Sequence, residues 1–115
     1  MDQYWMAVYR PAGYDPLVEL DATDHGRIDA LNREMQDAGV TIFVGGLRPT
    51  ETVSSFVPEP DAGIVCKAGP SAGGAYYVDG FWVLTCRNLE EAQGWGRKAA
   101  WACRGCVEVR PFYPA

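Results

Sequence analysis

His25 is the only histidine in the 115 residues, and therefore the only side chain that exchanges a proton near neutral pH without help from its surroundings. It precedes Ile28 by one helical turn and falls in phase with Met35, which places it on the inward stripe of a helix and makes it a candidate for acid–base chemistry. A capping, exposed or structural histidine is the competing reading. His25 cannot pair with Asp37 along one straight helix, because twelve residues span about 18 Å. A dyad would need Asp24, Asp79 or a residue of a second subunit. Asp79, directly before Gly80-Phe81-Trp82, is a candidate base if it stands at a pocket mouth, and an ordinary turn aspartate otherwise. Arg110 shares a strand face with Glu108 and Phe112. It could clamp a carboxylate or an enolate oxygen, or form a structural pair with Glu108.

Aromatic residues are the second resource: 4 Trp, 6 Tyr and 4 Phe make up 12% of the chain, more flat surface than so small a core requires. Trp5, Tyr9, Tyr76, Tyr77 and Trp82 are the ones placed to hold an aromatic ligand. Other motifs carry less. Cys103-Arg104-Gly105-Cys106 has CxxC spacing, but it closes a helix, whereas a redox pair needs the thiolate-stabilising N-terminal pole. Cys66 and Cys86 supply no second close pair for zinc. Gly45-Gly46 precedes no helix and matches no phosphate-binding spacing, so it reads as a turn. No cofactor or metal is expected.

These residues need one domain to position them, and 115 residues make one core. A hydrophobic content of 48% with 22% charged residues excludes disorder. Ten Lys and Arg against fifteen Asp and Glu give a net charge of -5, the wrong sign for a nucleic-acid binder. The chain has no apolar run of membrane-spanning length, no secretory signal and no disulfide framework, which points to a cytoplasmic protein with reduced thiols.

Gln3 to Tyr9 alternates large residues as a strand, with neither face clearly polar. Asp15-Pro16 is a helix start, and Ile28, Leu31, Met35 and Ala38 set a firmer helical stripe that Gly39 ends. Val40 to Val44 is a short buried strand. Thr52 to Val57 and Ile64 to Lys67 are expected to pair across a turn at Glu59 to Gly63, with Ala68 to Ala75 as loop. Gly80 to Cys86 is the strongest strand. Asn88 with Glu91 has the form of a capping box for a helix striped by Leu89, Ala92, Trp95 or Gly96, Ala99 and Cys103, and Val107 to Phe112 is the last strand. That order predicts an α+β fold, a ferredoxin-like βαββαβ sandwich carrying a hairpin insertion. Strands apolar on both faces then need a cover, and a second copy about a two-fold axis, closing a dimeric α+β barrel, is the simplest.

With the elements placed, the chain resembles the YCII-related family, in its DGPF branch. The resemblance is carried by Met35-Gln-Asp-Ala-Gly-Val-Thr-Ile-Phe-Val-Gly-Gly-Leu-Arg-Pro49, Asp79-Gly-Phe-Trp-Val-Leu84, Leu89-Glu-Glu-Ala-Gln-Gly-Trp95 and Val107-Glu-Val-Arg-Pro111, in this order and spacing. It implies a ferredoxin-like monomer and a dimeric barrel over residues 1–115. The family's name-giving loop, Asp-Gly-Pro-Phe-Ala-Glu, falls on Ala68-Gly69-Pro70-Ser71-Ala72-Gly73, where both acidic residues are gone. Relatives carry a helix histidine nearer position 28, paired with an aspartate in the region of Asp37, so His25 lies about 4.5 Å too early along the axis. Asp79 stands where the family usually has a second glycine, and Tyr76 and Tyr77 enter a stretch that is usually charged. Three readings follow. One is a cofactor-independent lyase, isomerase or cyclase acting on an aromatic or polycyclic metabolite, with His25 and Asp79 for proton transfer and Arg110 among the contacts. The second is a non-catalytic ligand-binding or accessory protein of a biosynthetic or regulatory system. The third is a structural partner subunit.

Overall fold

Tyr4, Met6, Val8 and Arg10 alternate with Trp5, Ala7 and Tyr9, and this period of two forms the long strand β1 (Asp2–Pro11). In the computed structural model, which describes residues 1–72 and 74–114, the first set turns toward the helices and is buried. Asp15 caps the one-turn helix α1 (Pro16–Glu19), its side chain accepting from the Leu17 N–H, with Pro16 in the first turn as expected.

Helix α2 (Ala22–Asp37) begins earlier than the apolar spacing suggests, because Asp21 and Asp24 form a reciprocal capping box. That box fixes the helical phase. Leu31 and Met35 face the core, Asp24 is the buried residue of the first turn, and His25 is exposed rather than on the inward stripe. Gly39 takes φ +72, the left-handed geometry that ends the helix.

Strand β2 (Thr41–Gly46) includes the Gly45-Gly46 pair, which is therefore strand and not turn. Its partner explains the glycines: a Cβ on Gly80 would lie 3.0 Å from the Gly45 carbonyl oxygen, so the two backbones approach where side chains would separate them. After a single 3₁₀ turn at Thr50–Thr52, β3 (Ser54–Glu59) and β4 (Gly63–Ala68) pair as the expected hairpin. The loop position Gly73 lies outside the described residues.

Strand β5 (Tyr76–Cys86) is longer than its most regular part, Gly80 to Cys86. Asn88 caps α3 (Leu89–Cys103) by accepting from the Glu91 N–H, but the Glu91 carboxylate turns to the Arg87 guanidinium at 2.7 Å instead of closing a capping box on Asn88. Small residues at Ala92, Gly96, Ala99 and Ala102 let α3 lie close on the sheet; a Cβ on Gly96 would meet Val109 Cγ2 at 2.8 Å. The last strand is β6 (Cys106–Pro111).

Strands β1, β2, β5 and β6 form one antiparallel sheet in the order β2-β5-β1-β6, with helices on one side. The protein is thus α+β, with three α-helices among the described residues, and its strand order is compatible with the ferredoxin-like arrangement. Met6, Met35, Leu84 and Cys86 are fully buried between sheet and helices. Among the described residues no helix is long and apolar enough to cross a membrane.

Candidate functional site

The site is built around a buried arginine. Arg10 continues the inward phase of Tyr4, Met6 and Val8, so a charged side chain enters the helix side with 2% of its surface exposed. Its Nη1 donates to the carbonyls of Cys103 (2.7 Å) and Arg104 (3.2 Å), where α3 ends and its last carbonyls lack helical partners. Arg104 takes the left-handed conformation there (φ 49), and Gly105 follows. A Cβ on Gly105 would lie 2.6 Å from Arg10 Nη1, so the guanidinium occupies the space a side chain would need. The Tyr14 ring covers the cation at 4.8 Å.

The counter-charge comes from a β-bulge. Val8 pairs with Gly80 and Tyr9 with Val78, which leaves Asp79 as the extra residue of β5. Gly80, Trp82, Leu84 and Cys86 are buried at alternate positions, so strict alternation would send Asp79 to the opposite face. The bulge brings it back to the helix side, where its Oδ2 accepts from Arg10 Nε at 3.2 Å. Its backbone carbonyl accepts from the Leu47 N–H at 2.8 Å, which ties the bulge to the end of β2. Asp79 is accordingly more than a turn aspartate. Among the described residues no protein donor reaches its Oδ1, and its side chain keeps 22% exposure toward a cavity.

That cavity, of about 1060 Å³, is large enough for a small organic molecule. Trp82 and Val44 form its floor, Ile28 and Asn32 of α2 one wall, and Tyr14 with α1 another. The segment from Leu47 to Glu51 and the loop residues Pro70 and Ala72 form the rim, beside Tyr76 and Tyr77. The polar tips of two aromatic residues are anchored: Trp82 Nε1 donates to Asn32 Oδ1 at 2.8 Å, and the Tyr77 hydroxyl donates to the Tyr14 carbonyl at 2.6 Å. Burial first, then the Asp79 carboxylate, raises the Tyr77 phenol above its ordinary value. Cys103 also lines the cavity, but burial pushes its thiol up to about 11, so it is not a nucleophile near neutral pH.

No family model matches the chain, and no curated protein matches it significantly. The YCII-related resemblance therefore stands on the four segments quoted above.

The sequence-derived site residues divide into three places. Asp79, Tyr76, Tyr77 and Trp82 meet in the cavity. Trp5, Tyr9 and Arg110 are on the opposite face of the sheet and cannot contact a molecule held there with them. On that face Trp5 stacks on Phe81 at 4.3 Å, Phe43 approaches Phe81 at 5.5 Å, and Arg110 lies opposite Trp5 in the strand register. Burial, followed by the neighbouring Glu108, raises the Tyr9 phenol. His25 belongs to neither group: it is exposed and outside the cavity lining.

Its neighbour Asp24 carries the interactions instead, accepting from Arg104 Nη1 at 3.0 and 3.2 Å and from Arg27 Nη1 at 3.3 Å. The Asp21 N–H foremost, and Arg104 with it, holds the Asp24 carboxyl below its ordinary value despite burial. This cluster ties α2 to the end of α3. Arg10, Tyr14 and Asn32 are among the cavity residues not singled out from sequence. Arg10 sits in phase with the buried face of β1, and Asn32 lies one turn after Ile28, so periodicity held a signal for both. Among the described residues no group of three or more His, Cys, Asp or Glu converges to hold a metal ion. The arrangement can enclose a flat apolar molecule and accept one hydrogen bond from it at Asp79 Oδ1.

Proposed function

We propose that the chain works as a homodimer that binds a small aromatic molecule in the helix-side cavity of each copy. The cavity carries the reading: it combines rings at Tyr14, Tyr77 and Trp82, with Tyr76 at the rim, and an inward ion pair, Arg10–Asp79. The pairing is supported by the other face of the sheet, where Phe43, Phe81 and Trp5 form an apolar strip, with Tyr9 further along the same face, that no described helix covers. Glu108 and Arg110 flank it with opposite charges, and opposite charges on one patch can meet each other across a two-fold axis. Two such sheets face to face would make the dimeric α+β barrel of the YCII-related family, to which we assign the chain on its quoted segments.

One observation favours an enzymatic reading as the second choice. The bulge aims Asp79 into the cavity with Oδ1 uncommitted, which is the placement a general base needs. In a cofactor-independent lyase, isomerase or cyclase Asp79, not His25, would move the proton. Native mass spectrometry of the protein taken from its source cell tests the main reading. A dimer retaining one small aromatic molecule per chain is expected. A monomer refutes the pairing, and a ligand-free protein that also takes up no added aromatic compound refutes the binding role.

A further inference from the structure

We infer that the cavity selects aromatic molecules carrying an amino group over those carrying a carboxylate. The inference rests on the cavity being the binding site and concerns only which ligands it takes. The one cation at its inner end, Arg10, is only 2% exposed, against 22% for the Asp79 side chain, with Nε turned to Asp79, Nη1 to two main-chain carbonyls, and its face to the Tyr14 ring, so little of it is open to a ligand. It is therefore poorly placed to neutralise an incoming anion. Asp79 Oδ1, by contrast, is an acceptor that receives no donor from the described residues and faces the cavity. Nearer the mouth, Asp15 and Glu51 oppose a single Arg48, so the lining as a whole is acidic, as is the chain at -5. The rings of Tyr77, whose phenol feels the Asp79 charge, and of Trp82 in the same cavity present negative π faces that attract a cation and offer an anion nothing. A protonated amine on a flat ring satisfies both features at once: it donates to Oδ1 while its ring packs among the aromatic side chains. An uncharged ring offers Oδ1 at most a neutral donor such as the indole N–H, a weaker bond than the protonated amine makes, and a carboxylate meets like charge at Asp79.

Three probes sharing one ring system separate these cases: tryptamine, indole and indole-3-propionate, titrated calorimetrically into the intact protein at pH 7. Tryptamine should bind about ten-fold tighter than indole, the scale of one charge-assisted hydrogen bond, and indole-3-propionate more weakly than indole. Asp79→Asn should remove most of the tryptamine advantage while leaving indole within about two-fold. Should that variant fail to fold, the wild-type ranking decides alone. Indole-3-propionate binding as tightly as tryptamine overturns the inference, as does a tryptamine preference that survives Asp79→Asn; both leave the aromatic cavity standing. Failure of all three probes to bind overturns the cavity reading and this inference with it.

Discussion

Replacing Arg10 and Asp79 singly and together isolates the interaction that anchors the inner end of the cavity. Arg10→Met keeps an apolar stem of similar reach, but it removes the donors that Cys103 O and Arg104 O use and leaves Asp79 without its cation. Breaking a buried pair costs about 3–5 kcal/mol when the remaining charge is sealed in. Here Asp79 keeps 22% exposure and can be hydrated from the cavity, so its stranding costs less; adding one poorly satisfied carbonyl brings the expected loss to about 3 kcal/mol. Asp79→Ala leaves the guanidinium, 2% exposed, with its two carbonyl partners and no counter-charge, for about 2 kcal/mol. The double variant has no stranded charge. Its loss should fall short of the sum of the singles by about 1–2 kcal/mol. Urea denaturation at one fixed protein concentration measures all four proteins, with similar m-values as the check on two-state behaviour. Losses that add to within about 0.5 kcal/mol would refute the pair as an energetic unit.

Four further outcomes follow from the geometry. Gly94→Ala, where an added Cβ meets nothing within 4 Å, should stabilise α3 by about 0.5–1 kcal/mol, whereas Gly96→Ala should destabilise because its Cβ meets the stiff Val109 side chain; thermal melts of both give the signs. Asp24 is held below its ordinary value of 3.8, so its stabilising contribution is complete above that pH and is lost as pH falls through the lower folded value. Asp24→Asn should flatten that part of the acid unfolding curve, and an unchanged curve would contradict the assignment. Iodoacetamide at pH 8 should alkylate exposed Cys66 quickly and spare Cys103, whose thiol titrates at about 11, until urea is added; peptide mass mapping reads both sites. If the proposed dimer forms through the aromatic strip, Phe81→Arg puts a charge at its centre and should give a monomer in light scattering where the wild type gives a dimer, with the fold retained by circular dichroism.

The elements were more legible than the site, for a reason visible at single residues. Alternation in β1 and the small-residue stripe of α3 are repeated signals, so an error at one position does not alter the element. Site placement hangs on phase. The capping box at Asp21 and Asp24 starts α2 early and turns Asp24 inward, which rotates His25, one residue on, out toward solvent. The bulge at Asp79 reverses the phase of β5, and its one local mark is the adjoining Gly80. Gly45-Gly46 reads as a turn locally, yet it is strand because Gly80 on the neighbouring strand admits close backbone approach, a pairing between residues far apart in the chain. Arg10 was hidden by its charge, since only its carbonyl and carboxylate partners, all distant in sequence, make its burial tolerable. The aromatic residues, finally, are too many for one role because they serve two faces of a single sheet.

A crystal structure of the protein grown with tryptamine tests the account most directly. The account predicts the ring in the helix-side cavity beside Tyr77 and Trp82, with the amine within hydrogen-bond distance of Asp79 Oδ1 and Trp5 and Phe81 covered by a second copy of the chain. Tryptamine seated against Trp5 and Phe81 on the outer sheet face, with the cavity empty, would contradict it.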